Sequence, residues 1–288
     1  MKDQAESLRI KLQQKKSSTI NTTSIAVISG KGGVGKSNLS LNFALSLTQQ
    51  GKSVLLFDMD IGMGNIDILM GVISQHTVVD MLDNQLPITE IIKEGPNGLA
   101  YISGGTGLSS IFTMEFEKID RFFEQLQLVL PQYEYVIFDM GAGMTNESIQ
   151  FLIAMDELFI VTTPEPTSIT DAYAAMKYIY SFNNSIPYYL VVNRAHSENE
   201  GKQTLQRLSN VVTRFLNKET IQLGILPDDK TVSKAVSHQI PYTLYSPKST
   251  ISRAIESLTS RYLENTAYNE GSEMRYSFIT KLKKLIER

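Results

Sequence analysis

The sequence predicts an α/β fold: a doubly wound, mostly parallel sheet with helices on both faces. Seven short apolar runs recur along the chain, and stretches of helical periodicity separate them. The runs are continuous rather than alternating, as expected of strands covered on both faces. In order they are Ile25–Ser29, Val54–Asp58, Leu99–Ser103, Val136–Met140, Leu158–Thr163, Tyr188–Asn193 and Ile221–Leu226. Helical patterns include Lys36–Gln50, Glu115–Leu130, Ser168–Tyr180 and Thr204–Leu216. Residues 17–24, SSTINTTS, read as a polar linker ahead of the first strand, and residues 265–273, NTAYNEGSE, as a second hinge near the end. Three segments follow: an N-terminal extension over 1–20, a main domain over 22–264, and a terminal helix over 274–288. No repeat of 20–50 residues interrupts this order. In such a sheet, ligands bind beyond the C-terminal ends of the strands.

The first strand runs into Gly30-Lys31-Gly32-Gly33-Val34-Gly35-Lys36-Ser37, followed by Asn38. This is the phosphate-loop pattern G-x-x-x-x-G-K-[ST], with an additional lysine, Lys31, after the first glycine. The glycines let the backbone wrap tightly and aim its N–H groups at phosphate oxygens. Lys36 is placed for the β- and γ-phosphates, and the Ser37 hydroxyl for Mg²⁺. Strand, loop and helix in succession put a helix N-terminus beneath the anion.

Two acidic turns close later strands. Asp58 and Asp60 end the second, and Asp139-Met140-Gly141-Ala142-Gly143 ends the fourth. Carboxylates at those points can hold Mg²⁺ through its waters, since Mg²⁺ takes few protein ligands.

These motifs, with residues 58–67, DMDIGMGNID, and 162–172, TTPEPTSITDA, resemble the MinD/ParA group of deviant phosphate-loop ATPases over residues 22–264. The resemblance implies ATP and Mg²⁺ as ligands and an ATP-dependent homodimer with slow turnover. It implies that Lys31 crosses the dimer interface to the partner's phosphates and that Asp60 orients the attacking water. Asp58 and Asp139 would lie in the Mg²⁺ environment with Ser37. The family usually has proline where this chain has Gly141, which loosens that turn. By resemblance, Asn193-Arg194 and Pro227-Asp228 flank adenine. The guanine-reading pattern N-K-x-D is not met: Asn217-Lys218-Glu219-Thr220 lacks the aspartate. ATP is therefore expected over GTP.

The two ends carry their own expectations. Residues 1–20 and 272–288 each hold five basic and two acidic side chains, +3 apiece, so a chain of net charge −3 has a body of −9. An acidic body argues against specific nucleic-acid binding and so against a DNA-partitioning ParA-type role. Phe278, Ile279, Leu282, Leu285 and Ile286 fall on one arc of a helix, with Lys281, Lys283 and Lys284 outside it. That pattern predicts an interfacial helix for an anionic lipid membrane. At the other end, Asp3-Gln4-Ala5-Glu6-Ser7-Leu8-Arg9 resembles the DQAExLR segment of FlhG-type regulators of flagellar number and placement. That likeness implies stimulation of FlhF, a signal-recognition-type GTPase, with Asp3, Gln4, Ala5, Glu6, Leu8 and Arg9 as the contact segment. It also implies contact with flagellar switch-ring components. A division-site-positioning MinD-type ATPase is the alternative; MinD itself begins almost directly at its first strand.

Composition narrows the classes further. With no cysteine among 288 residues, disulfides, thiolate metal sites and iron–sulfur ligation are excluded. No stretch is apolar for the ~20 residues that a membrane-spanning helix needs, and the N-terminus has no apolar secretory core. The expectation is a cytoplasmic protein, reversibly peripheral at the inner face of the cell membrane.

Overall fold

The computed structural model describes residues 22–59, 65–74, 76–104, 116–141, 146–267 and 278–286. Their framework is one eight-stranded sheet of order β3-β4-β2-β5-β1-β6-β7-β8. The strands are β1 (Thr23–Ile28), β2 (Val54–Met59), β3 (Ile92–Glu94), β4 (Ala100–Ile102), β5 (Tyr135–Met140), β6 (Glu157–Thr162), β7 (Tyr188–Ala195) and β8 (Ile221–Pro227). All neighbours pair in parallel except β3 with β4. Each of the seven apolar runs overlaps one of the parallel strands. The antiparallel edge strand β3 left no such run, because its three residues, Ile-Lys-Glu, are half-buried or exposed.

Both faces are covered, and alternate residues of each strand serve opposite cores. Ala26, Ile28, Leu55, Phe57, Val136, Phe138, Leu158 and Ile160 face one core, shared with α5 (Phe116–Val129), α6 (Asn146–Ala154), α7 (Pro166–Phe182) and α8 (Glu198–Leu216). Ile25, Val27, Leu56, Ile137, Phe159 and Val161 face the other, shared with α1 (Lys36–Gln49) and α11 (Thr250–Ala267). The remaining helices are α2 (Asn65–Met70), α3 (Val78–Asp83), α4 (Ile88–Ile91), α9 (Lys230–Ser237), α10 (Tyr242–Tyr245) and α12 (Phe278–Ile286). At one point helix and strand need a glycine: a Cβ on Gly201 of α8 would stand 2.4 Å from Ile225 of β8.

The terminal helix has a seat in the structure that the sequence did not show. Its apolar arc is predicted to face lipid. Instead, α12 packs on α6 and α5 of its own domain. Phe278, Ile279 and Leu282 are buried members of the first core. The Phe278 ring lies 5.4 Å from that of Phe138 and 5.1 Å from that of Phe151. Lys281, which the sequence places outside the apolar arc, extends its Nζ to Asp156 Oδ1 at 2.5 Å. The physical reason is that the first core offers an apolar surface of its own, and burying an apolar arc there satisfies it as lipid would. The side chains of Lys283, Lys284, Leu285 and Ile286 lie outside the described residues. So do residues 1–21, with the whole Asp3–Arg9 segment. No described helix is long and apolar enough to cross a membrane.

Candidate nucleotide site

The loop between β1 and α1 sits at the C-terminal ends of the parallel strands. Gly33 and Gly35 take φ of +77° and +94°, left-handed values that favour glycine. A Cβ on Gly35 would stand 2.4 Å from Asn193 Nδ2, and one on Gly30 would overlap the backbone of Asp171 on α7 at 2.1 Å. The loop is thus clamped between β7 and α7. No side chain caps α1. Its N-terminus remains a set of N–H donors and a positive dipole end, suited to phosphate.

The two loop lysines have different settings. Lys36 is buried, and its Nζ donates to Ser29 Oγ at 2.9 Å. Ser29 Oγ in turn donates to the Lys31 carbonyl at 2.7 Å. Lys31 is exposed, with its Nζ 3.0 Å from Glu165 Oε2 at the start of α7. Glu165 was part of a quoted motif with no role attached; the ion pair reveals its position. An exposed pair of this kind contributes about 0–1 kcal/mol and parts readily.

Asp58 and Asp139 stand at matched register positions at the ends of β2 and β5, both fully buried. Asp139 Oδ1 accepts from Ser40 Oγ at 2.9 Å, and the same hydroxyl contacts the Lys36 carbonyl at 3.0 Å. Ser40 lies one helical turn beyond Lys36 and joins the loop helix to the β5 carboxylate. Only its i+4 spacing from Lys36 was visible in the sequence. Asp58 Oδ2 accepts the Ile66 N–H at 3.1 Å, tying β2 to α2. Ser37 is half-exposed in the first turn of α1, and Gly141 is half-buried after β5. Asp60, Ala142 and Gly143 lie outside the described residues.

These residues can be tested against Mg²⁺. The donors are hard oxygens: two buried carboxylates and one hydroxyl. Among the described residues, no three His, Asp or Glu side chains converge as a metal cage. A sparse oxygen set fits an ion that keeps several waters and leans on substrate phosphates.

Asn193, Arg194, Pro227 and Asp228 line one cavity of about 60 Å³ with Gly35, Asn38 and Tyr242. It adjoins an open groove of about 940 Å³ that runs to Glu165, His196 and Lys230. Asn193 braces the loop: its Nδ2 donates to the Val34 carbonyl at 2.8 Å, and its Oδ1 accepts the Arg194 N–H at 2.9 Å. Arg194 has a φ of +56°. Asp228 Oδ2 lies 3.6 Å from His196 Nδ1. Burial alone would raise the neighbouring Asp229 carboxyl, but N–H donors from Thr231 and Ile251 outweigh it and hold it below its ordinary value. On the α7 side, Ser168 Oγ accepts the Thr163 N–H at 3.1 Å and meets Thr162 Oγ1 at 3.0 Å, fixing the end of β6.

Comparison with known proteins agrees with this geometry. A ParA family model, described as a NUBPL iron-transfer P-loop NTPase, matches residues 21–263. The antiactivator FleN of Pseudomonas aeruginosa is 31% identical over 82% of this chain and 85% of its own. The flagellum site-determining protein YlxH of Helicobacter pylori is 34% identical over 92% of this chain and 91% of its own. Among solved structures, the septum site-determining protein MinD of Pyrococcus horikoshii, complexed with Mg-ADP, superposes with a TM-score of 0.69. It covers 87% of this chain and all of that one at 19% identity, a likeness of fold. The chain belongs to the ParA/MinD family of P-loop NTPases, whose members are ATPases.

Proposed function

We propose that this chain is an ATPase that hydrolyses ATP slowly, as a homodimer, and cycles on and off an anionic membrane to regulate flagellar number or placement. The observation that carries the dimer is the contrast between the two loop lysines. Lys36 points inward on Ser29, where it serves its own chain's phosphates. Lys31 stands on the exposed rim, where its Nζ makes a surface ion pair with Glu165. A cation placed there is suited to a triphosphate held by a second copy. Such a lysine acts as an arginine finger does, supplying positive charge only when two chains meet.

The family resemblance, with the positions of the described residues, supports the remaining roles. The loop N–H groups and the α1 N-terminus hold the β- and γ-phosphates, and Lys36 balances their charge. Ser37, Asp139 and Asp58 would hold Mg²⁺, which neutralises charge on the phosphate oxygens. Asp60 would orient the attacking water. Phosphoryl transfer depends mainly on such positioning, so assembling the site by pairing couples turnover to dimerisation.

Membrane association would require α12 to leave its seat on α5 and α6 and present its apolar arc to lipid. Basic side chains near an anionic surface add about 1 kcal/mol each, and two helices on one dimer gain by avidity. The name of YlxH, a flagellum site-determining protein, supports the flagellar part of the reading. Residues 3–9 are proposed to stimulate an FlhF-like GTPase, and the dimer to meet switch-ring components.

The test is ATP turnover as a function of protein concentration. Specific activity should rise with concentration and vanish in Lys36→Gln and Asp60→Ala. Turnover proportional to protein at every concentration would contradict the dimer. A peptide of residues 1–20 should accelerate the partner GTPase, and Gln4→Ala should blunt it.

A further inference from the structure

We propose that Ser29 is a positioning residue for phosphoryl transfer: its hydroxyl ties the Lys36 ammonium to the Lys31 main chain and so holds that charge in place for the transferred group. This inference rests on the reading of the site as an ATPase site and adds one residue that acts through the two loop lysines.

Ser29 is the first residue after β1 and stands one place before the phosphate-loop pattern. It is buried, and its hydroxyl is used in both senses. Oγ accepts from Lys36 Nζ at 2.9 Å and donates to the Lys31 carbonyl at 2.7 Å. An ammonium on one side polarises the hydroxyl and strengthens the bond it donates on the other. The main chain that carries it is fixed. A Cβ on Gly30, between Ser29 and Lys31, would stand 2.1 Å from the Asp171 carbonyl. The hydroxyl is therefore presented from a rigid platform.

That one group sets two others. Lysine has a flexible four-carbon stem, and a charge held in place beforehand needs no reordering as the reaction proceeds. Lys36 is buried, so its ammonium is already drawn out of water and into the loop. The second group is the peptide between Lys31 and Gly32. A planar trans peptide points its N–H opposite its carbonyl. With the Lys31 carbonyl turned to Ser29, the Gly32 N–H faces away from that hydroxyl, on the exposed stretch of loop that also carries Lys31. Alanine at position 29 would keep the strand and the Gly30 contact and release both groups.

The experiment compares Ser29→Ala and Ser29→Thr with wild type in the full chain, reading kcat and KM for ATP, ADP affinity and melting temperature. In Ser29→Ala, kcat should fall about 10-fold or more, the worth of one hydrogen bond to a charged group. KM and ADP affinity should change by less than about 2-fold, since a positioned charge counts most in the transition state. Ser29→Thr keeps the hydroxyl and should restore most of the lost kcat. A kcat for Ser29→Ala equal to that of wild type overturns the inference. So does a loss of ADP affinity as large as the loss of kcat, which marks a serine that only supports the loop. A Ser29→Thr that melts as wild type does, yet is as slow as Ser29→Ala, overturns it too. Should Ser29→Thr fail to fold, the alanine variant still decides. If wild type turns over no ATP, the proposed function fails as well; wild-type turnover matched by Ser29→Ala sinks only the role of Ser29.

Discussion

The seat of α12 includes one ion pair among the described residues, Lys281 with Asp156, and its loss should loosen the helix. Asp156→Asn is the informative change. Asp156 Oδ2 accepts the Ser24 N–H at 3.0 Å and its hydroxyl at 2.6 Å, while Oδ1 faces Lys281 Nζ at 2.5 Å. Asparagine can keep its oxygen on Ser24, which leaves its NH2, a donor, facing the Lys281 ammonium, so that both the ion pair and its hydrogen bond are lost. Burying Phe278, Ile279 and Leu282 contributes about 4.5–9 kcal/mol at 1.5–3 each. Ordering the nine residues of α12 costs about 9 kcal/mol at roughly 1 per residue. The two nearly cancel, so the pair decides. A hydrogen bond between charged groups is worth about 1.5–3 kcal/mol, and Asp156 is nearly buried while Lys281 keeps about a third of its side chain in water. The undocked population should then rise about 10- to 100-fold, since 1.4 kcal/mol is a factor of ten. Hydrogen exchange over residues 278–286 reports this directly: protection should fall by that factor while β1 and β6 stay protected. Liposome sedimentation without nucleotide should rise in parallel. Unchanged exchange in α12 would refute the reasoning.

Other outcomes follow from the same geometry. Lys31→Ala removes only an exposed pair, so thermal denaturation should shift by less than about 1 kcal/mol, while ATP-dependent self-association, read by light scattering, is lost. Ser40→Ala leaves the buried Asp139 without its hydroxyl donor; stability should drop by about 1–3 kcal/mol, and ATP turnover should fall with it. Burial opposes ionisation of Glu134, but its bonds to Lys52 and Ser53 prevail and hold its pKa below the ordinary 4.5. Its contribution to stability is present above 4.5 and is lost as pH falls through the lower folded value. Glu134→Gln should therefore be less stable at neutral pH and flatter in its acid unfolding curve.

The central strands β1, β2, β5 and β6 were legible because they are buried on both faces and so read as apolar runs. β3 was not, because a three-residue edge strand with Lys93 and Glu94 has no such run. The phosphate loop was legible because its glycines and lysines are adjacent in sequence. Contacts that complete the site join distant residues: Ser40 with Asp139 and Lys31 with Glu165 meet only once the sheet forms. The terminal helix shows the limit of periodicity. An apolar arc specifies that something apolar will cover it, and cannot distinguish lipid from the domain's own core.

The central claim is that Lys31 completes the site of the opposite chain, and mixed-variant ATP turnover tests it most directly. Lys31→Ala and Asp60→Ala should each be inactive alone. Mixed, they should recover activity, because the first retains Asp60 and receives the intact lysine of the second. No recovery on mixing, or full activity of Lys31→Ala alone, would contradict the account.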